Sequence, residues 1–289
     1  MTRLAVNNLT KTFNQQPFLE DISFELTDNK IYGSLGRNGV GKSTLLNCIC
    51  DRVLYHCGSI LLDDKPLHNN THRLHQIYLM NDDSLMYYGW ETVSNLYRYN
   101  DIAYGNFNYE EAHRLADSFR IDEHKQFKNL STGLRTATKL ILAFCTDAQI
   151  ILLDEPTLGL DAALRNTFYR ELIKTYNERP RIFVLSTHLI NEVQNLVEDV
   201  LVLDDGRLQF NQSAESLCEK VIQIRGPRQE IENLLGSPVN SFNPITVGQQ
   251  VTVNVKTELL QGKGIPKTVT AQPVDLQTAF ITLTANEEE

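Results

Sequence analysis

The stretch KIYGSLGRNGVGKSTLLNCIC at residues 30–50 constrains this chain more than any other. An apolar run of strand character ends at a glycine, and a helical pattern opens at GKST. The spacing G-x-x-x-x-G-K-[ST] over 36–44 is that of a loop whose backbone N–H groups converge on phosphate oxygens. Glycine allows the backbone to come that close, and the following helix points its positive end at the same anion. Lys42 is placed to reach the β- and γ-phosphates of a nucleotide, and the Ser43 hydroxyl to ligate Mg²⁺. The candidate nucleotide-binding residues are therefore Gly36, Arg37, Asn38, Gly39, Val40, Gly41, Lys42, Ser43 and Thr44.

Two further stretches gain meaning from that loop. QIILLDEPTLGLDAA begins at Gln149 and sets Asp154 and Glu155 at the C-terminal end of an apolar strand. Ligands of open α/β sheets bind beyond such ends. Asp154 is a candidate Mg²⁺ carboxylate acting through water. Glu155 is a candidate to orient or deprotonate an attacking water. RIFVLSTH repeats the geometry and ends on His188, a candidate polar contact to the γ-phosphate. Without a phosphate loop upstream, each of these would read as an ordinary solvated or structural residue.

KIYGSLG, QIYLM, QIILLD, RIFVLST and DVLVLDDG alternate with helical patterns, which indicates a parallel sheet covered on both faces. RLAVNNLT and PFLEDISFEL alternate more weakly and suit an antiparallel pair beside it. Between about 82 and 130 the chain turns rich in Tyr and Asn with helical patterns, as in WETVSNLYRY and YEEAHRLADSF, and reads as a helical insertion. From about 219 short strands and two helices form a small α+β appendage, ending in an acidic NEEE tail expected to be a solvated terminus.

Charge and hydropathy exclude other classes. With 27 Lys and Arg against 36 Asp and Glu, the net charge is −9, and no nucleic-acid partner is expected. No apolar run approaches the roughly 18 residues of a membrane span, and the N-terminus has no signal-peptide stretch. A cytoplasmic location is expected. Cys48 and Cys50 point to different faces of one helix, and no Cys-x-x-Cys occurs, so all five cysteines are expected to be packing residues.

Together these motifs resemble the ATP-binding subunits of ABC transporters over about residues 4–217. Residues 36–44 match the Walker A loop, LSTGL at 130–134 the signature motif, ILLDEP the Walker B strand with its catalytic glutamate, LGLD ending at Asp161 the D-loop, and His188 the switch histidine. Asn81 falls at the Q-loop position, a further metal-side candidate, and Phe13 where an aromatic stacks on adenine. The resemblance implies an α/β fold of P-loop NTPase type, with a mainly parallel sheet flanked by helices, an antiparallel β subdomain, the helical insertion and the C-terminal appendage. It divides the chain into an ATP-binding domain at 1–218 and an accessory domain at 219–289. It implies ATP and Mg²⁺ as cofactors, and catalytic roles for Lys42, Glu155 and His188. Ser131 and Gly133 would face ATP held by a second ATP-binding subunit, identical or paralogous. Transmembrane permease subunits would hold the protein at the inner face of the membrane. The C-terminal region is similar to that of bacterial exporters of drugs, bacteriocins or envelope-active peptides.

The chain departs from that pattern at Asn81, where glutamine is usual, and at Thr132 and Leu134, where glycine and glutamine are usual. A binding module with little or no turnover and a non-transport ATPase of the same family are the alternatives. Gly133 stands out, because glycine in a helix's first turn costs about 1 kcal/mol relative to alanine. The expectation is that it clears the helix tip for a phosphate on another chain, and that nothing in this chain's own folding demands it.

Overall fold

A computed structural model describes residues 2–27, 29–83 and 85–285; the acidic tail at 286–289 lies outside the described residues. The chain forms two compact units. One holds the residues up to His188 together with Leu201–Asn211, and the other holds Leu189–Val200 and the residues from Gln212 on. The sequence suggests one domain boundary, near 218. In space the chain crosses between units at 188, 200 and 211, because it returns to the main sheet once before leaving it.

In the first unit β1 (Leu4–Phe13), β2 (Gln16–Leu26), β4 (Cys57–Leu62) and β5 (Lys65–Pro66) form an antiparallel sheet in the order β2-β1-β4-β5. The main sheet runs β10-β9-β3-β8-β7-β6. Its strands are β3 (Ile31–Leu35), β6 (Ile77–Met80), β7 (Ile150–Asp154), β8 (Ile182–Thr187), β9 (Asp199–Asp204) and β10 (Arg207–Ser213). The pairs β3–β8, β8–β7 and β7–β6 are parallel. Every residue of β3, β6 and β8 is buried, as their continuous apolar sequences require of strands covered on both faces.

Helix α1 (Lys42–Ile49) lies in the core between the two sheets. Its Leu45, Leu46, Cys48 and Ile49 pack with Leu4 and Leu9 of β1, Ile22 of β2 and Leu152 of β7. Each such side chain contributes about 1.5–3 kcal/mol by leaving water, so the loop ahead of α1 rests on a fixed base. Cys48 and Cys145 are buried, but Cys57 is exposed on β4, contrary to the expectation that all five cysteines pack inside. It lies near the strand's exposed end, where the alternating burial pattern has not yet begun.

After the four-residue helix α2 (Thr71–Leu74), the insertion supplies α3 (Val93–Tyr104) and α4 (Tyr109–Phe119), whose N-cap residues Thr92 and Asn108 accept from the backbone N–H of Asn95 and Glu111. Then come α5 (Thr132–Cys145) and α6 (Ala162–Glu178). Arg114 of α4 donates to Glu111 on its own helix and to Glu171 of α6, 2.7 Å away. Burial pushes Glu171 up, but hydrogen bonds and charge from Arg114 and then Arg170 outweigh it and hold the carboxyl below its usual range. Arg114→Met leaves that carboxylate buried with only Arg170, and we expect a loss of about 2–3 kcal/mol in chemical denaturation at pH 7. A depressed folded pKa stabilises above the unfolded value and ceases to do so as pH falls through the folded one. The difference between wild type and Arg114→Met should therefore shrink toward zero in strong acid.

The far end of α5 is closed by a buried arginine. Arg181, 1% exposed, donates to the carbonyls of Phe144, Thr146 and Ala148. Phe144 and Thr146 are groups that a helix C-terminus leaves unpaired, at its negative end, and Ala148 lies just beyond. Burial holds the guanidinium down to about 10, still cationic at neutral pH.

The second unit contains α7 (Ile190–Val193), α8 (Ala214–Glu219) and an antiparallel sheet ordered β12-β13-β11-β14. The strands are β11 (Val221–Pro227), β12 (Ile245–Val247), β13 (Gln250–Lys256) and β14 (Thr270–Pro273). Val251, Val253 and Val255 alternate inward and meet Ile224 and the apolar side of α9 (Arg228–Leu235). A last helix, α10 (Leu276–Thr284), is capped by Asp275.

Candidate functional site

The loop at 36–44 follows buried β3 and ends where α1 begins. Gly36 is buried, Arg37, Asn38 and Gly39 are exposed, Val40 is half-buried, and Gly41 is buried at the N-cap. Gly41 has φ 107°, and a Cβ on it would lie 2.5 Å from Leu19 Cδ2, so both backbone and space demand glycine. No side chain caps α1. By contrast α3, α4, α5, α6 and α10 each use an Asn, Thr, Ser or Asp side chain for that purpose. The first N–H groups of α1 thus keep their capacity to donate, at the positive end of the helix.

Lys42, 5% exposed, donates to the carbonyls of Gly36 at 2.7 Å and Arg37 at 2.9 Å. Burial pushes its ammonium down, and the charges of Glu155 and Asp154 push it back up. Asp154 ends β7. Burial raises its pKa, while hydrogen bonds from Ser43 and Ser186 oppose the rise. The loop lysine, the loop serine and the two strand-end carboxylates therefore share one site, with Thr44 half-buried beside Ser43.

Glu155 sits one residue past the strand at φ 46°, a left-handed conformation that a non-glycine residue holds at a cost of order 1 kcal/mol. Its backbone N–H donates to Ser186 O at 2.8 Å, which fixes the turn. Both carboxylate oxygens are held: Thr187 Oγ1 donates to Oε2 at 3.4 Å, and His188 Nδ1 lies 2.9 Å from Oε1. An ionised carboxylate only accepts, so the shared proton belongs on Nδ1. The sequence aims His188 at a phosphate; the structure brings it to Glu155. Motif spacing does not single out Ser186 and Thr187. The available signal was that RIFVLSTH turns polar two residues before its histidine, inside a stretch that is otherwise apolar.

Asn81 follows Met80, which pairs with Leu153, so it stands at the same end of the sheet as Asp154. It is 8% exposed. Lys139 of α5, itself buried, donates to the carbonyls of Asn81 at 2.9 Å and Asp82 at 2.8 Å. Phe13 is 47% exposed at the end of β1. Its ring meets Phe18 edge-on at 5.2 Å, with Lys11 Nζ 4.7 Å from its centroid. Phe18 reaches within 3.6 Å of the place a Cβ on Gly41 would take, so Phe13 stands beside the loop.

Ser131 and Gly133 are gathered elsewhere in the unit. Ser131 Oγ accepts from the N–H of Leu134 at 3.3 Å and caps α5. Gly133 is buried. A Cβ there would lie 2.9 Å from the carbonyl oxygen of Gly159 and 3.1 Å from Leu164 Cδ1. This corrects the expectation that the chain's own fold has no use for the glycine: the turn after β7 packs directly on it. Gly159 in turn would strike Thr132 Cγ2 at 2.8 Å if it carried a Cβ. We expect Gly133→Ala to cost about 1–3 kcal/mol by overpacking, measured by denaturant titration without nucleotide, where no second chain can be responsible.

Comparison with known proteins follows the same outline. Residues 19–158 match the family model described as ABC transporter. The chain is 27% identical to the ABC transporter ATP-binding protein YtrB of Bacillus subtilis over 96% of its own length and 97% of the relative's. It is 25% identical to the Nod factor export ATP-binding protein I of Rhizobium etli, covering 100% of this chain and 95% of the other. With the ribose import ATP-binding protein RbsA of Lacticaseibacillus paracasei it shares 23% identity, over 92% of this chain but 54% of the relative. A solved ATP binding subunit of an ABC transporter superposes on 74% of the chain and 91% of its own, with a TM-score of 0.66 at 22% identity, a likeness of fold.

Proposed function

Because this chain carries the ATP-binding domain of the ABC transporter family, we propose that it hydrolyses ATP with Mg²⁺ to power a membrane exporter. The observation that carries this reading is the meeting of Lys42, Ser43, Asp154 and Glu155 at the uncapped start of α1. Lys42 and the first-turn N–H groups grip the phosphates, and Phe13 stacks on the adenine. Ser43 and Asp154 present hard oxygen donors to Mg²⁺ and lie within a hydrogen bond of each other, a set that fits this ion. Among the described residues no group of three or more His, Cys, Asp or Glu side chains could hold a metal by itself. The remaining ligands are then phosphate and water oxygens, with Asn81 at hand to position a water. Mg²⁺, when bound, neutralises charge on the phosphate oxygens. Glu155, held on both oxygens, orients the attacking water and accepts its proton as His188 steadies the carboxylate.

Ser131 and Gly133 present the start of α5 to ATP on a second ATP-binding subunit, identical or paralogous, and the transmembrane permease supplies the path. Among the described residues no helix is long and apolar enough to cross a membrane, so that path belongs to a partner, which holds this chain at the inner face of the membrane. Export is favoured over import by the end-to-end match to an export relative, where the import relative is matched over about half its length. The cargo class that suits such a subunit is a drug, bacteriocin or envelope-active peptide.

The test is phosphate release by the chain isolated with its permease from native membranes. We expect turnover that requires Mg²⁺ and stops with EDTA, and ATP-driven cargo accumulation in inverted vesicles. Nucleotide affinity with no turnover in that complex would favour a binding module instead.

A further inference from the structure

The last two residues of β8 carry hydroxyls; that of Thr187 serves Glu155, and that of Ser186 has no part in the reaction above. Ser186 is 0% exposed and donates from Oγ to Asp154 Oδ1 at 2.9 Å. The register explains the contact: Ser186 is the strand partner of Asp154 on one side and of Ser34 on the other. Ser34, Ser186 and Asp154 therefore form one row across β3, β8 and β7, on the same face of the sheet. The row is polar in a sheet that is otherwise apolar at this depth. A buried serine contributes nothing to packing that alanine would not, and its hydroxyl costs free energy unless it is hydrogen-bonded. Ser186 has one in the carboxylate; Ser34 Oγ, equally buried, has no hydrogen-bond partner.

We propose that Ser186 is a positioning residue: its hydroxyl holds Oδ1 of Asp154 and thereby aims the carboxylate, with Ser43, at the Mg²⁺ of the nucleotide. The inference rests on reading Asp154 as the Mg²⁺ carboxylate. A carboxylate has two oxygens and free rotation about its last bond. One oxygen fixed from β8 leaves the other with a defined direction, and the Asp154 oxygen that meets the metal-bound shell no longer has to be ordered when the nucleotide arrives. The role is separate from that of Thr187 and His188, which address Glu155 instead.

The experiment is Ser186→Ala, with Mn²⁺ as the probe. Mn²⁺ affinity of the protein–ATP complex is read by electron paramagnetic resonance, ATP affinity in EDTA by calorimetry, and the thermal midpoint in parallel. We expect Mn²⁺ affinity to fall by about 10-fold, the range seen when partners of metal ligands are removed. Metal-free ATP affinity and the midpoint should stay near wild type. Ser34→Ala deletes an equally buried hydroxyl from the same row and should leave Mn²⁺ affinity unchanged. Ser186→Cys, close in volume and a weak donor, should fall between serine and alanine. The proposal is overturned if Ser186→Ala keeps wild-type Mn²⁺ affinity, or if the loss is matched by equal losses in metal-free ATP affinity and stability. Asp154→Asn separates the two levels of the argument. If that variant also keeps Mn²⁺ affinity, the metal assignment itself fails; if it alone loses the ion, only the role of Ser186 does.

Discussion

Glu155→Gln should lower ATP turnover at least about 100-fold while ATP binding and ATP-dependent pairing of two subunits persist. A general base contributes roughly 10²–10⁴ to a rate, and the amide cannot take a proton. The change is otherwise conservative. Glutamine keeps the side-chain length, its carbonyl can still accept from Thr187 or His188, and the left-handed backbone at 155 is unaltered. Lys42, Ser43 and Asp154, proposed to carry the phosphate and metal side of the site, are left in place. The measurement is phosphate release under saturating ATP and Mg²⁺, with sedimentation in the same buffer to follow pairing. Equal turnover by wild type and variant would sink the assignment of Glu155 as the catalytic base.

The second large effect is Lys42→Met, which should weaken ATP binding by about 100-fold, as expected when a charge-assisted contact to phosphate is removed. Methionine fills nearly the same volume, so the buried stem still packs. What is lost is a cation seated on the Gly36 and Arg37 carbonyls and facing two carboxylates. Without it Asp154 and Glu155 repel the phosphates unopposed. Lys42→Arg should fare little better, because the rigid guanidinium fork is larger than the ammonium and cannot occupy the same two carbonyls. Calorimetry with a non-hydrolysable ATP analogue reads both variants. Wild-type affinity in Lys42→Met would remove the loop from the binding site.

What was legible in the sequence is what depends on local spacing. The loop could be read because glycine, lysine and serine must follow one another within a few residues between a strand and a helix. The carboxylates and His188 could be read because strand ends are visible as the edge of an apolar run. The contacts that were not legible are those set by partners distant in sequence. Gly133 looked like a glycine kept for another chain, and its neighbour Gly159 belongs to a separate motif. Lys139 is buried against the backbone of Asn81, far from it in sequence. Arg181, a charge that spacing alone does not bury, is 1% exposed because its partners are carbonyls more than thirty residues earlier. Ser186 has nothing in its local sequence to single it out from Thr187, and only register places it against Asp154.

The arginine under α5 has a mechanical consequence. The carbonyls of Phe144 in the last turn and of Thr146 and Ala148 just past it are tied through Arg181 to the start of β8, a strand buried in the main sheet. That end is therefore the fulcrum for any swing of the helix. Fourteen residues at about 1.5 Å each make a lever roughly 21 Å long. A tilt of about 10° would carry Ser131 roughly 4 Å at the other end while the anchored end hardly moves. The α5 tip and the turn after β7 that packs on it would therefore have to move as one piece about this anchor.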